Sequence, residues 1–335
     1  MEKKQDREKF GPYVTTGHLP SPERVKALVA DAYERFRSNT EGQTSKIYPA
    51  LANVTEALFG VCVVGTSGNI YAAGDSDYEF PIMSVSKPYV FALVCQTLGA
   101  QEARERIGVN ATGLPFNSLE AIEGCGGGRT NPMVNSGAIA ATNLVPGSSS
   151  KAKWQFIETN LSRFAGRALT FNEDVFASAS QTNFRNREIA ERIKAHGQLS
   201  LDPADAVDLY TRQCSLNVSA RDLAIMGATL ADGGVNPLTR EQVINAASCK
   251  FALAVMATAG LYETSGDWLY NVGLPGKSGI SGGIVTVSPG KGGLGTYAPL
   301  LDAVGNSVKG QLTAQYLSEC LGLSLFASKP DNIAT

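Results

Sequence analysis

Met83-Ser84-Val85-Ser86-Lys87-Pro88-Tyr89-Val90-Phe91-Ala92-Leu93 sets a hydroxyl and an amine three residues apart at the head of an apolar run. On a helix such a pair shares one face. The Lys87 amine can then reach the Ser84 hydroxyl and act as its base, which makes Ser84 a candidate nucleophile. Pro88 is tolerated only in the first turn of a helix, so a helix should begin here, and the run from Tyr89 to Leu93 should be buried. The same residues also fit a plainer reading, a capped helix that merely packs in the core.

A Ser-x-x-Lys match carries little alone, because a chain of 335 residues holds roughly one or two by chance. Others occur, among them Ser148/Lys151 and Ser288/Lys291. The first lies in Pro-Gly-Ser-Ser-Ser-Lys, which reads as flexible loop, and the second in Ser-Pro-Gly-Lys-Gly-Gly, which reads as a turn. Neither promises a fixed geometry.

Two histidines, His18 and His196, leave a Ser-His-Asp triad poorly supplied, so a serine nucleophile here should be served by lysine or tyrosine. Six cysteines, Cys62, Cys95, Cys125, Cys214, Cys249 and Cys320, include no Cys-x-x-Cys pair. That argues against zinc and dithiol chemistry and for buried free thiols. The formal charge of −2 gives no basic excess for nucleic acid, and no cationic amphipathic stretch suggests a membrane surface. Met1 to Lys9 is charged and leads into no apolar segment, so it does not read as a secretory signal, and a cytoplasmic location is expected. The longest apolar run, Phe251 to Leu261, is too short to span a bilayer.

Residues 1–19 read as a polar, poorly ordered arm. Ser21-Pro22-Glu23 is a helix start, followed by an apolar stripe through Val25, Leu28, Val29, Ala32, Tyr33 and Phe36. Leu58 to Gly65 and Ile70 to Asp75, joined by Gly68-Asn69, predict a β-hairpin. Helices should follow the nucleophile as far as about Leu261, interrupted by the loop Gly124 to Pro132. Among them are Asn186 to Lys194 and Ser219 to Ala231, the latter with a Ser219-x-x-Asp222 capping box. From Tyr270 the signal returns to strand, with a run from Gly276 to Val287, a turn, and Leu294 to Tyr297. A last helix is expected from Asn306 to Leu323. Strands at both ends with helices between predict an α/β (α+β) fold, one sheet assembled from both termini with a helical lobe inserted. The expected parts are a flexible arm (1–19), a discontinuous sheet-containing domain (20–80 and 265–330) and a mostly helical domain (81–264), with the site between the last two.

Gly273-Leu274-Pro275-Gly276-Lys277-Ser278 invites a phosphate-loop reading, but the required earlier glycine falls on Asn271 and the segment runs into strand. Lys277-Ser278-Gly279 on a strand can instead set a positive charge and a main-chain donor beside a serine nucleophile, or form an ordinary turn. Asn135 in Asn131-Pro132-Met133-Val134-Asn135 can hydrogen-bond a substrate or simply cap the following helix.

Ser-x-x-Lys, an Asn segment and Lys-Ser-Gly in this order resemble the serine β-lactamase and penicillin-binding superfamily. The closer resemblance, from about Lys46 to Gly310, is to the serine-dependent glutaminases. It is carried by Ile47-Tyr48-Pro49, Ser84-Val85-Ser86-Lys87, Asn131 to Asn135, Arg185-Asn186-Arg187 and Leu209-Tyr210 with Cys214-Ser215. Val272 to Gly279 and Leu300-Leu301-Asp302 with Gly305 to Gly310 extend it. The resemblance implies an antiparallel sheet flanked by helices and hydrolysis of glutamine to glutamate and ammonia, with no metal or organic cofactor. It implies Ser84 as nucleophile, Lys87 as base and Tyr262 as proton relay, with the N–H groups of Ser84 and Ile280 as oxyanion hole. Tyr48, Asn135, Asn186 and Tyr210, with Tyr262 and Ile280, fall at its substrate-binding positions. A homo-oligomer, dimer or tetramer, is the usual assembly in that family.

Two positions depart from the family pattern: Met83 stands where it has Gln, and Ala179 where it has Glu. Losing a charged partner for the substrate ammonium costs about 1.5 to 3 kcal/mol, roughly ten- to a hundredfold in affinity, unless another acid such as Glu173 or Glu263 substitutes. Three functions follow from the sequence: a glutamine amidohydrolase, the same chemistry on another small amide or lactam, and a non-catalytic ligand sensor on the same fold.

Overall fold

The computed structural model describes residues 17–328, so most of the expected arm over 1–19 and the last two positions of the 265–330 stretch lie outside the described residues. Five strands form the central sheet: β1 (Gly60–Gly65), β2 (Ile70–Gly74), β5 (Gly276–Ser278), β6 (Gly283–Ser288) and β7 (Gly292–Tyr297), in the order β2-β1-β7-β6-β5. β3 (Phe80–Pro81) and β4 (Asn217–Val218) pair separately. Every pairing is antiparallel, and β1 meets β7 with Cys62 opposite Gly295, so the two ends of the chain join in one sheet as expected. The β1–β2 hairpin turns at Gly68, whose φ of +87° is one that a side chain disfavours.

Successive residues of β1 face opposite sides. Val61 and Val63 pack with Val25, Val29 and Leu317 from helices Pro22–Phe36 and Val308–Leu321, while Cys62 and Val64 pack with Ala224 and Ala228 of helix Ala220–Ala231. That second helix lies against the strand backbone itself. A Cβ on Gly295 would fall 2.0 Å from Ala220 O, and one on Gly293 would fall 2.3 Å from Ala224 O. The glycines of Gly292-Gly293-Leu294-Gly295 therefore set the helix-to-sheet distance, and any side chain at either position would push the helix off. Its start is fixed by the capping box read from the sequence, with Ser219 Oγ accepting from Asp222 N and the Asp222 carboxylate accepting from Ser219 N.

Helix Lys87–Leu98 is buried along most of its length and packs with Asn135–Leu144, Ala246–Ala259 and Ser150–Ala165 through Tyr89, Val90, Leu93, Ile157, Phe164 and Met256. Two strand expectations fail. Tyr270 lies in helix Ser265–Val272 and is 91% exposed, because Trp268 and Val272, four residues apart, supply the buried stripe and Gly273 closes the helix in the left-handed conformation. The run from Gly276 to Val287 is two strands, since Gly279 to Gly282 form a turn and Gly282 has φ +107°. That break lifts Ile280 out of the sheet.

Four cysteines are buried as expected, but Cys125 and Cys320 are half-buried. Lys151 sits in the first turn of a helix capped by Ser149 rather than in a loop, yet it and Ser148 are exposed. Among the described residues no helix is long and apolar enough to cross a membrane.

Candidate active site

The nucleophile candidate does not sit in the α-helix itself. Met83–Ser86 form a 3₁₀ turn, and the α-helix begins at Lys87 with Pro88 in its first turn. With three residues per turn, positions i and i+3 eclipse, so the tighter turn stacks Ser84 over Lys87. Met83 enters this turn at φ +48°, and Tyr262 has φ +55°; they are two of only three non-glycine residues with positive φ among the described residues. Both flank Ser84, which fits the tendency of backbone strain to gather at working sites.

Lys87 is 1% exposed, and burial pulls its amine down to about 7, opposed by the nearby Cys214 thiol. The amine does not hydrogen-bond Ser84, as the spacing had suggested; it donates to Asn135 Oδ1 at 2.8 Å and to Met133 O at 3.2 Å. A neutral amine has two N–H bonds and one lone pair. With both N–H groups engaged, the lone pair is the group's remaining function and is free to take a proton. The Ser84 hydroxyl instead lies beside the Tyr262 phenol, whose pKa burial raises and Ser84 lowers. Tyr262 Oη also donates to Ser278 O at 3.2 Å.

Asn135 is not a cap. Val134 occupies the N-cap position of helix Asn135–Leu144, and the Asn135 side chain turns inward. Its Nδ2 donates to Asn186 Oδ1 at 2.8 Å, and its Oδ1 accepts from Lys87 and, at 3.3 Å, from Tyr210. The amide thus ties Lys87 to two further residues expected at the site.

A cavity of about 130 Å³ is lined by Tyr48, Met83, Ser84, Asn135, Ala179, Asn186, Tyr210 and Ile280, all eight of them expected from the sequence. Lys87 and Tyr262 border the same corner without lining it; Tyr262 faces a second cavity beside it. Neither Glu173 nor Glu263 lines the first cavity. The main-chain N–H groups of Ser84 and Ile280 donate to no other described residue. The turn carrying Ile280 abuts the nucleophile turn: a Cβ on Gly279 would lie 3.1 Å from both Ile82 O and Val85 Cγ2.

Lys277 is fully buried, donates to Gly260 O at 2.9 Å and Ser278 O at 2.7 Å, and stands 4.4 Å from the centre of the Tyr262 ring. Burial first and the neighbouring Lys87 second hold its amine well below the usual lysine range. Two amines in one buried site repel, so each favours the neutral form of the other.

Several contributors went unread in the sequence. Phe116 lines the cavity and stacks at a tilt, 4.8 Å between centroids, on Tyr262. Cys214 lines it too; burial lifts its thiol to about 11, which keeps it neutral beside Lys87. Behind the turn, Gln213 Nε2 donates to Ser86 Oγ (2.9 Å), which donates to Met83 O (2.7 Å), while Thr142 Oγ1 lies 2.9 Å from Gln213 Oε1. A glutamine next to Cys214 in an otherwise apolar helix face was the available signal. The Ser288/Lys291 pair holds no such arrangement: Ser288 ends β6, and Lys291 Nζ reaches Gly322 O.

Known proteins align with this arrangement over nearly the whole chain. The family described as Glutaminase matches residues 42–326. "Glutaminase 2" of Yersinia pestis is 67% identical over 318 residues, 95% of this chain and 94% of that protein. "Glutaminase 1" of Escherichia coli O157:H7 is 44% identical over 303 residues, 90% of this chain and 98% of that one. A solved structure titled probable glutaminase ybaS superposes with a TM-score of 0.90 at 43% identity, covering 92% of this chain and all of the other. A Bacillus glutaminase does so with a TM-score of 0.81 at 32% identity, covering 90% of this chain and all of the other.

Proposed function

The chain belongs to the glutaminase family, and on that premise we propose that it hydrolyses L-glutamine to L-glutamate and ammonia through an ester on Ser84. The Ser84 oxygen attacks the side-chain amide carbon while Lys87 takes its proton. The N–H groups of Ser84 and Ile280 receive the negative charge that develops on the carbonyl oxygen. Lys87, with Tyr262 as relay, returns the proton to the departing nitrogen, and ammonia leaves behind a γ-glutamyl ester. Water then adds to the ester carbon, gives its proton to Lys87, and glutamate departs as Ser84 regains a proton. Tyr48, Asn135, Asn186 and Tyr210 hold the amino-acid end of the substrate.

The observation that carries this reading is the pair of acceptors on Lys87, which engages both N–H groups of a buried amine whose pKa lies near neutrality. Relatives that are glutaminases at 43–67% identity favour glutamine over another amide or a non-catalytic sensor. Replacing Ser84→Ala should abolish ammonia release from glutamine, and in the parent protein a γ-glutamyl mass increase should map to the peptide that contains Ser84. Turnover that survives Ser84→Ala, or an adduct on another residue, refutes the mechanism. We further propose a cytoplasmic homo-oligomer, read by light scattering after size exclusion, and a division into 20–80 with 265–330 against 81–264, read by where limited proteolysis cuts.

A further inference from the structure

An acyl-enzyme route creates a traffic problem. Ammonia must leave, and water must arrive, while the glutamyl group still fills the cavity through which glutamine entered. A second cavity adjoins the reacting corner. It has a volume of about 200 Å³, room for several molecules the size of water, each of which takes about 30 Å³ in the liquid.

Phe116 lines both cavities, and Tyr262, whose hydroxyl lies beside Ser84, lines the second. The two rings, 4.8 Å apart, are the partition. Met133, whose carbonyl accepts from Lys87, also lines the second cavity, so a single residue links the amine to that wall. The rim carries Thr112 and the exposed carboxylate of Glu263, groups that suit a small polar or cationic guest. A third, wider cavity of about 750 Å³ shares Ile47, Phe116, Asn117 and Ile280 with the first, but Tyr262, beside the Ser84 hydroxyl, lines the second cavity and neither of the others. The leaving nitrogen takes its proton from Lys87 by way of Tyr262, and the second cavity is the one that Tyr262 and the Lys87 acceptor Met133 line.

We propose that the cavity behind Phe116 and Tyr262 is the passage for ammonia out and hydrolytic water in while the γ-glutamyl ester occupies the substrate cavity. This rests on the Ser84 acyl-enzyme reading. The guests are ammonia or ammonium and water, and the balance is that of the reaction itself: one C–N bond is broken, one C–O bond to Ser84 is formed and then exchanged for one to water, and Lys87 carries the proton in each half.

Gly266 allows a direct test. It lines this cavity, its φ is unexceptional, and an added Cβ meets nothing within 4 Å, so Gly266→Trp should fold and obstruct the passage. Thr258→Phe, at an exposed residue that lines the same cavity, is the second obstruction, and Ala303→Trp, lining the third cavity, is the control. With glutamine as substrate, both obstructing variants should lower kcat about tenfold, a barrier rise of ~1.4 kcal/mol. They should also accumulate the Ser84 ester in quenched intact-mass spectra, while Ala303→Trp leaves the steady-state ester fraction at its parent value. If folded Gly266→Trp and Thr258→Phe turn over like the parent, or if Ala303→Trp alone accumulates ester, the passage lies elsewhere and the acyl-enzyme reading stands. A parent protein that releases no ammonia from glutamine overturns both.

Discussion

Asn135→Asp puts the electrostatics of the base to a quantitative test. Lys87 titrates near 7 because burial penalises the ammonium, and its nearest acceptor is the neutral amide oxygen of Asn135 at 2.8 Å. If the neutral amine is the base, kcat/KM should rise with pH: roughly a tenth of the amine is neutral at pH 6, half at pH 7 and nine-tenths at pH 8. A carboxylate of nearly the same shape at 2.8 Å attracts the ammonium by about 6 kcal/mol at an effective dielectric of about 20. That is a ceiling, because the new charge must itself be desolvated. Opposite charges at such range raise an amine by about 1 to 3 units, each worth ~1.4 kcal/mol. Asn186 must also turn its amide so that a donor rather than an oxygen faces position 135.

The rising limb of kcat/KM should therefore move from about 7 to about 8–10. At pH 7 the activity falls roughly five- to several hundredfold, and most of it returns as the pH is raised towards 10. The assay is initial ammonia release at subsaturating glutamine across pH 5.5–10 (about neutral, ±2 to 3 units). Asn135 also lines the cavity proposed to hold the substrate, so the level of the plateau can change without bearing on the argument; only the position of the limb decides. A limb unmoved from its parent position, or a loss equal at every pH, refutes Lys87 as the group that must be neutral. The same shift has a stability counterpart. Because the folded pKa of Lys87 is lowered, the unfolded chain binds the extra proton between about pH 7 and 10.5, so this residue's contribution rises with pH across that window and is lost as pH falls through 7.

Ser86→Ala and Gln213→Leu should each lower kcat about tenfold with little change in KM. The double variant should be no worse than the weaker single, because both act through one chain of hydrogen bonds ending on Met83 O; additive losses in steady-state kinetics would separate them. Gly279→Ala places a Cβ 3.1 Å from Ile82 O and Val85 Cγ2, so the contact between the Ile280 and Ser84 turns must give by a few tenths of an ångström. It should cost kcat about tenfold, less than the hundred- to thousandfold of an oxyanion donor removed outright, and an unchanged kcat would show that Ile280 N–H is not a donor. Ala179→Glu adds a carboxylate to the cavity wall and should lower KM for glutamine roughly ten- to a hundredfold, the converse of losing one charged hydrogen bond. A KM unchanged in the folded variant means that position 179 does not meet the substrate ammonium.

How far the sequence reached depended on the range of the interaction that fixes each feature. The Ser84–Lys87 register, the Ser219 capping box and the β1–β2 hairpin are local, set by residues three or four apart, and each was legible. Helix Ser265–Val272 was misread because Trp-Leu-Tyr-Asn-Val carries strand propensity, whereas its stripe is decided by what Trp268 and Val272 pack against, a tertiary fact. Asn135 was ambiguous because one residue separates a cap from an inward-facing first-turn position, and only the contact with Lys87 settles which it is. Ile280 could come only from resemblance, since every residue except proline has an N–H and no side-chain pattern marks one left unpaired.

The distances at the site are controlled by residues with no side chain at all. Gly293 and Gly295 let helix Ala220–Ala231 rest on β7. Gly260 lets the end of helix Ala246–Ala259 touch β5, where a Cβ would meet Gly276 O at 1.8 Å, and Gly279 lets the Ile280 turn reach the Ser84 turn. These contacts connect the sheet, the base of Tyr262 and the nucleophile in series. A methyl group at Gly260 would separate Lys277 from its acceptor Gly260 O and shift the strand that leads to Ile280. The geometry needed for acyl transfer thus follows from backbone contact between elements distant in sequence. That explains why the candidate groups could be picked out from short motifs while the spacing between them could not.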